Sequence, residues 1–572
     1  MPIVTPLSPT DTGRRICGSP GALRCAAWII GVWLGLLGVG SPYAVAQTPQ
    51  EEALLRASNA GGGDVFGGSV AIDGDRAIVG AIDDNGAGLL NSGAAYVFER
   101  DGSGTWVEVA LLRASNAGVG DRFGGSVAID GDRAIVGARG EAGAGDGLSI
   151  SGAAYVFEHD GSGTWQEVAL LRASNAGADD RFGRSVAIDS DRAIVGARFE
   201  NGAGDGLTDS GAAYVFERDG SGTWQEVALL RASNASEFDI FGGSVSIDGD
   251  RAIVGAIEED GAGDGLFRSG AAYVFERGGS GTWQEVALLR ASNAGAGDGF
   301  GESVAIDGDR AIVGTDNEAG AGDGLSGSGA AYVYERGSSG TWQEVALLRA
   351  SNAGAGDSFG ESVAIFSDRA IVGARFENGA GNGLTNSGAA YVFEHDGSGT
   401  WQEVALLRAS NAGVDDEFGF SVSISGDRAI VGALREDGPV GEGVTDAGAA
   451  YVFTLSIPAP SGLAAASGTD QVDLSWETVG TASGYNVYRS TASFDDLATA
   501  TKLTASPVSG TAYADTDVVT GTTYYYRVAA VDGAGNESAP SNEVSATPQA
   551  AEAESFSAQQ VIDDQAGGAF DV

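Results

Sequence analysis

Along most of the chain, apolar and polar residues alternate in short runs, and the runs recur as a set. One set reads FGRSVAI (182–188), RAIVGA (192–197), GAAYVFE (211–217) and TWQEVALLRA (223–232). A period of two in β-branched and aromatic residues predicts strands. The turn Asp189-Ser190-Asp191, which is Asp-Gly-Asp in most copies, joins the first pair, and Asp219-Gly220-Ser221-Gly222 joins the last pair. Both are hairpin signals. A longer loop rich in Gly and acidic residues separates the middle two runs. No helical period competes, and 93 glycines are too many for helices.

The set returns seven times, with its Phe-Gly pair starting at Phe66, Phe123, Phe182, Phe241, Phe300, Phe359 and Phe418. A fixed period of this kind means stacked or circular repeats, and four antiparallel strands per unit predict a β-propeller. The rival is an extended β-solenoid, and the ends of the array decide between them. The seventh copy runs through GAAYVF and then turns to TLSIPAP, with no TWQEVALLRA strand. The missing strand type stands alone at the other end as EALLRAS, residues 52–58. Each strand type then occurs seven times. The fold class expected is all-β: a seven-bladed β-propeller over 51–456, closed by an N-terminal strand so that two exposed edges disappear.

The Phe-Gly phrase, with Val-Gly-Ala and Ala-Tyr-Val-Phe in register behind it, resembles the FG-GAP repeats of integrin α-chain propellers, and still more the short bacterial FG-GAP type. The resemblance spans about residues 51–455. It implies a propeller and a surface that recognises other molecules. The calcium-binding version of that repeat has an Asp-rich loop between its first two strands. Here the place holds only Asp73-Gly74-Asp75 and its equivalents, too short for an ion that takes six to eight oxygens. The family's calcium site is therefore not carried over.

After Ile457-Pro458-Ala459-Pro460, the runs QVDLSWE, SGYNVYRS and TTYYYRVAAVDG predict a β-sandwich over 457–548 that resembles a fibronectin type III domain. No Arg-Gly-Asp tripeptide is present. Residues 549–572, rich in Ala, Gln, Glu and Asp, are expected to be a disordered acidic tail. At the other end, residues 1–46 have the form of a signal peptide: Arg14, Arg15 and Arg24, then an apolar stretch at 26–40, then Ala44-Val45-Ala46 before the expected cleavage. Both cysteines, Cys17 and Cys25, lie inside it, so the exported chain would have no thiol chemistry.

A formal net charge of −46 repels nucleic acid and anionic lipid. No second apolar stretch follows that could cross a membrane. Propeller turns alternate between two faces. The short turns share one, and the long loops and Ser-Asn-Ala-Gly segments share the other, which is the expected binding face. Candidate calcium ligands on it are Glu200, Asp205 and Asp209; Glu258, Asp260 and Asp264; Asp316, Glu318 and Asp323; and Glu436, Asp437 and Asp446. The plain alternative is that they are solvated loop charges. The Asp two residues before each Phe, such as Asp64 and Asp180, is expected to shape its own turn. The only histidines, His159 and His395, fall beside short turns and are expected at the surface, not as a general base. Arg184, Phe267, Phe366 and Phe420 break the repeat, marking either a specialised sector or drift after duplication.

Together these features predict a secreted or cell-surface, monomeric recognition and adhesion protein. It is expected to be no enzyme, to have no certain cofactor beyond candidate calcium, and to bind an extracellular protein or polysaccharide through the long-loop face. The alternatives are a secreted carbohydrate-active enzyme using carboxylates on that face, or a structural surface protein.

Overall fold

The computed structural model describes residues 49–550 apart from 143–146, 203–205, 262–264, 320–323, 380–382, 396–398, 439–444, 456, 458, 480–481 and 532–536. Residues 1–46, expected to be a signal peptide, and all but the first two residues of the expected tail at 549–572 lie outside the described residues. No helix among the described residues is long and apolar enough to cross a membrane.

Seven four-stranded antiparallel sheets follow one another along residues 50–454. In the third they are Phe182–Asp189, Arg192–Ala197, Ala212–Arg218 and Trp224–Leu230, hydrogen-bonded in that order. Each Phe-Gly strand packs against the Phe-Gly and second strands of the preceding sheet, so it is the inner strand and the Trp-containing strand is the outer one. The hydrophobic core lies between neighbouring sheets as seven similar clusters. The third combines Ile135, Ala154 and Val156 of one blade with Phe182, Val195, Tyr214 and Trp224 of the next. Phe182 meets Tyr214 edge-on at 5.4 Å, and the same pair recurs in every blade.

Close approach of the blades depends on glycine. A Cβ on Gly196 would lie 2.1 Å from the carbonyl oxygen of Gly242 in the next blade. Backbone cannot yield there as a flexible side chain would. Gly196→Ala is expected to destabilise the propeller by about 1–3 kcal/mol, measured as a lower urea midpoint; an unchanged midpoint would mean that the blades are not locked at this spacing.

The seventh sheet is built from both ends of the array. Gln50–Leu55 pairs antiparallel with Ala449–Thr454, from Gln50 opposite Thr454 to Leu55 opposite Ala450. Leu55 is buried and Leu54 half-buried. The first blade meets the seventh as other neighbours meet: Phe66 bridges Gly448 just as Phe123 bridges Gly93.

Charge pairing follows the same logic. Glu51 accepts from the Ser410 backbone N–H at 2.9 Å, as Glu108 accepts from Ser58. In the first blade Arg76 pairs with Glu99 at 2.8 Å. The seventh has Thr454 where that Glu belongs, and Glu52 supplies the carboxylate, 3.1 Å from Arg428 and also paired with Arg100. Burial raises the Glu52 carboxyl, but these two arginines outweigh it and hold it below the usual value.

Residues 464–546 form a sandwich of a three-stranded and a four-stranded sheet. Its core places Trp476 edge-on to Tyr485 at 5.4 Å, with Val487, Tyr526 and Val528 beside them.

Candidate functional site

Each blade carries two connections on the long-loop face. The segment before Phe carries an Asp two residues ahead of the ring, whose carboxylate accepts from the N–H three residues earlier: Asp180 from Gly177 and Asp64 from Gly61, both at 2.6 Å. This is the turn-shaping role expected from the sequence.

The longer loop is anchored by a buried network. In the third blade the Tyr214 hydroxyl donates to Asn175 Oδ1 at 2.8 Å, Asn175 Nδ2 donates to Glu200 Oε1 at 2.8 Å, and Arg231 Nη2 donates to the same oxygen at 2.5 Å. The Gly202 N–H satisfies the other carboxylate oxygen at 2.8 Å. Burial first, then Glu200, raises the Tyr214 phenol well above its ordinary pKa, keeping it a donor. Asn175 follows the outer strand of the preceding blade, so the network spans a blade boundary. Asp84, with Asn59, Tyr96 and Arg113, makes the first-blade version, and Asn59 follows the N-terminal strand.

The candidate calcium ligands are placed accordingly. Glu200, Glu318 and Glu436 are buried and engaged by Arg231, Arg349 and Arg56. They are not solvated loop charges, because burial without those arginines would leave a carboxylate uncompensated. In the fourth blade the equivalent residue is Glu259, while Glu258 pairs with Arg268 at 2.8 Å and Asp260 accepts from the Arg268 N–H at 2.9 Å. The Asp209 and Asp446 N–H groups cap Asn201 and Asp437. Asp205, Asp264 and Asp323 lie outside the described residues. Among the described residues no group of three or more His, Cys, Asp or Glu could hold a metal ion.

The histidines differ from expectation. The side chains of His159 and His395 are only 9% and 10% exposed, because each packs against the tryptophan of its own outer strand, Trp165 at 5.4 Å and Trp401 at 5.5 Å. Nor are the four singular residues brought together as a sector. Phe267 is exposed in a long loop, and Phe366 lies at the short turn on the other face. Arg184 and Phe420 alone share a position, two residues after Phe on the inner strand.

That position leads to a feature the sequence reading missed. The residue before Phe, the residue two after it, and the residue following Val-Gly-Ala all meet around the inner strands at the long-loop end. Gly125 shows the contact: a Cβ there would come 2.8 Å from Ile82 Cδ1 of the preceding blade. Arg375 shows it with charge, 2.7 Å from Glu361 of its own blade and 3.9 Å from Glu417 of the next, and 5.2 Å from the Phe420 ring. Burial, only partly offset by Arg375, pushes Glu361 up to about 8; Glu302 and Asp316 are also raised, chiefly by burial.

Comparison with known proteins agrees with this architecture. The FG-GAP repeat matches residues 49–98, 106–157, 165–216, 224–275, 283–334, 342–393 and 401–453, and the fibronectin type III domain matches 458–547. An amylopullulanase of Thermoanaerobacter thermohydrosulfuricus is 46% identical over 98 residues, 16% of this chain and 6% of that protein. A poly(3-hydroxybutyrate) depolymerase of Ralstonia pickettii is 42% identical over 94 residues, 16% of this chain and 17% of that protein. The chain thus spans only a small part of these curated relatives. A solved Fn3-like protein from Clostridium thermocellum is 38% identical, covering 17% of this chain and 99% of that one, at a TM-score of 0.14. With seven matched repeats taking up more than half of its residues, the chain belongs to the FG-GAP repeat family.

Proposed function

We propose that the chain is an exported, non-catalytic recognition protein that binds a glycan or protein ligand through the long-loop face of its propeller. The observation that carries this reading is the use of the buried loop carboxylates. Glu200, Glu318 and Glu436 are committed to arginine and asparagine, so they anchor loops and are not free to move protons. Loops anchored at their base on a fixed frame are what recognition uses. Relatives named for a polysaccharide- or polyester-degrading activity share a segment with this chain, which makes extracellular polymers the first ligands to test. A second reading, a carbohydrate-active enzyme, is favoured by the raised carboxyls of Glu302, Asp316 and Glu361 near the inner strands.

The full chain is to be applied to glycan and protein arrays with and without calcium. Phe267, 64% exposed beside Arg268, is the aromatic best placed as an anchor. Phe267→Ser is expected to weaken binding about tenfold with no change in melting. Polysaccharide cleavage abolished by Glu361→Gln would replace recognition with catalysis; arrays blank at high micromolar protein would leave a purely structural surface role.

A further inference from the structure

Among the described residues every arginine forms an ion pair except five: Arg122, Arg139, Arg181, Arg184 and Arg198. All five belong to the second and third blades, and all occupy the three positions that meet around the inner strands. Arg122 and Arg181 precede Phe, Arg184 stands two after it, and Arg139 and Arg198 follow Val-Gly-Ala. The other blades fill these positions differently. The first and fourth carry Val65, Gly68 and Ile82, and Ile240, Gly243 and Ile257. The fifth to seventh carry Glu302, Asp316, Glu361 and Glu417, with Arg375 bound among them.

In a chain of net charge −46, five adjacent guanidiniums with no carboxylate in direct contact are costly to assemble; Glu302 and Glu258 act on Arg198, and Glu302 on Arg184, only from beyond ion-pair distance. Their crowding is felt: burial first, then Arg184, Arg122, Arg198 and Arg181, push Arg139 down to about 10, and burial with Arg184 and Arg181 does the same to Arg198. The cluster is also ordered. The Arg181 and Arg198 guanidiniums lie 4.7 and 4.5 Å from the centre of the Phe199 ring. Planar guanidiniums with free N–H groups match the two-oxygen edge of a carboxylate, sulfate or phosphate.

We infer that the axial mouth on the long-loop face is an oxyanion-binding site, in which the arginines of the second and third blades receive one carboxylate, sulfate or phosphate group of a ligand. This rests on the recognition reading and sharpens it. The surrounding negative field disfavours a polyanion lying across the face, so the ligand enters with a single acidic group, as at the end of an acidic saccharide.

The repeat supplies its own control substitutions. Glycine occupies the position of Arg184 in three other blades and isoleucine that of Arg139 and Arg198 in two, so the triple variant Arg139→Ile, Arg184→Gly, Arg198→Ile is built from residues that this frame already holds. The full chain and the variant are to be titrated calorimetrically with sulfate, phosphate, galacturonate and neutral galactose at constant ionic strength set by chloride. The expected result is binding of one or more of the anions to the wild type, none of galactose, and at least about tenfold weaker anion binding by a variant that melts no lower. Which anion binds tightest identifies the source of the group. Equal anion binding by both proteins, or none by the wild type, overturns the site. An array ligand held equally by wild type and variant overturns it as well, while leaving recognition by the loop face intact. Anion binding lost in the variant, with arrays blank for both, keeps the site and removes the recognition reading.

Discussion

Deleting residues 50–58 is expected to destabilise the propeller by roughly 5–8 kcal/mol. Two contributions dominate. Leu55 is buried against the first and seventh blades, and its loss is worth about 1.5–3 kcal/mol. Arg56 is the ion partner of Glu436 at 2.5 Å; without it a buried carboxylate is stranded at a cost of about 3–5 kcal/mol. Loss of Glu52 then leaves Arg428 and Arg100 without their shared acid, and the Ala449–Thr454 strand becomes an open edge. Against a total stability of about 5–15 kcal/mol this is most of the margin. The melting midpoint should fall by about 10 °C or more, and adding the missing peptide in trans should restore part of it. A midpoint that does not move would mean that the N-terminal strand is decoration and that the ring does not need it.

The second large effect is expected at the loop anchor. Glu200→Ala removes the acceptor for Arg231, Asn175 and the Gly202 N–H together. Leaving a half-buried guanidinium, an amide and a backbone N–H unpaired together should cost about 3–5 kcal/mol. Tyr214→Phe removes only one neutral donor from Asn175 and should cost about 1 kcal/mol. Chemical unfolding of both variants gives the comparison. If Glu200→Ala is no worse than Tyr214→Phe, the network is not held together by its charge pair, and the loop-face carboxylates become available for other chemistry.

The strands and the ring were legible because the same signals occur seven times in one register, and because the displaced EALLRAS run fits only the gap in the last copy. The sandwich was legible from its Trp and Tyr core positions. The loop anchor was not. Glu200 sits among Gly and Asn and looks solvated, yet its burial depends on Asn175, 25 residues before it on another blade, and Arg231, 31 residues after it. The histidines were misplaced for a related reason: the turn beside them is exposed, but the ring of Trp165 or Trp401 covers them. The arginine cluster was visible only as the oddity of Arg184. Its other members come from turns and strand ends up to 76 residues apart, and only the closing of blades against each other gathers them.

Because every loop anchor borrows its asparagine from the blade before it, and the first borrows Asn59 from the strand that completes the last, no blade owns a full set of its own supports. Such a chain has no loose end from which to fray. Heat should therefore melt the seven sheets as one body, in a single sharp event, where an open row of the same units would unravel from its tips.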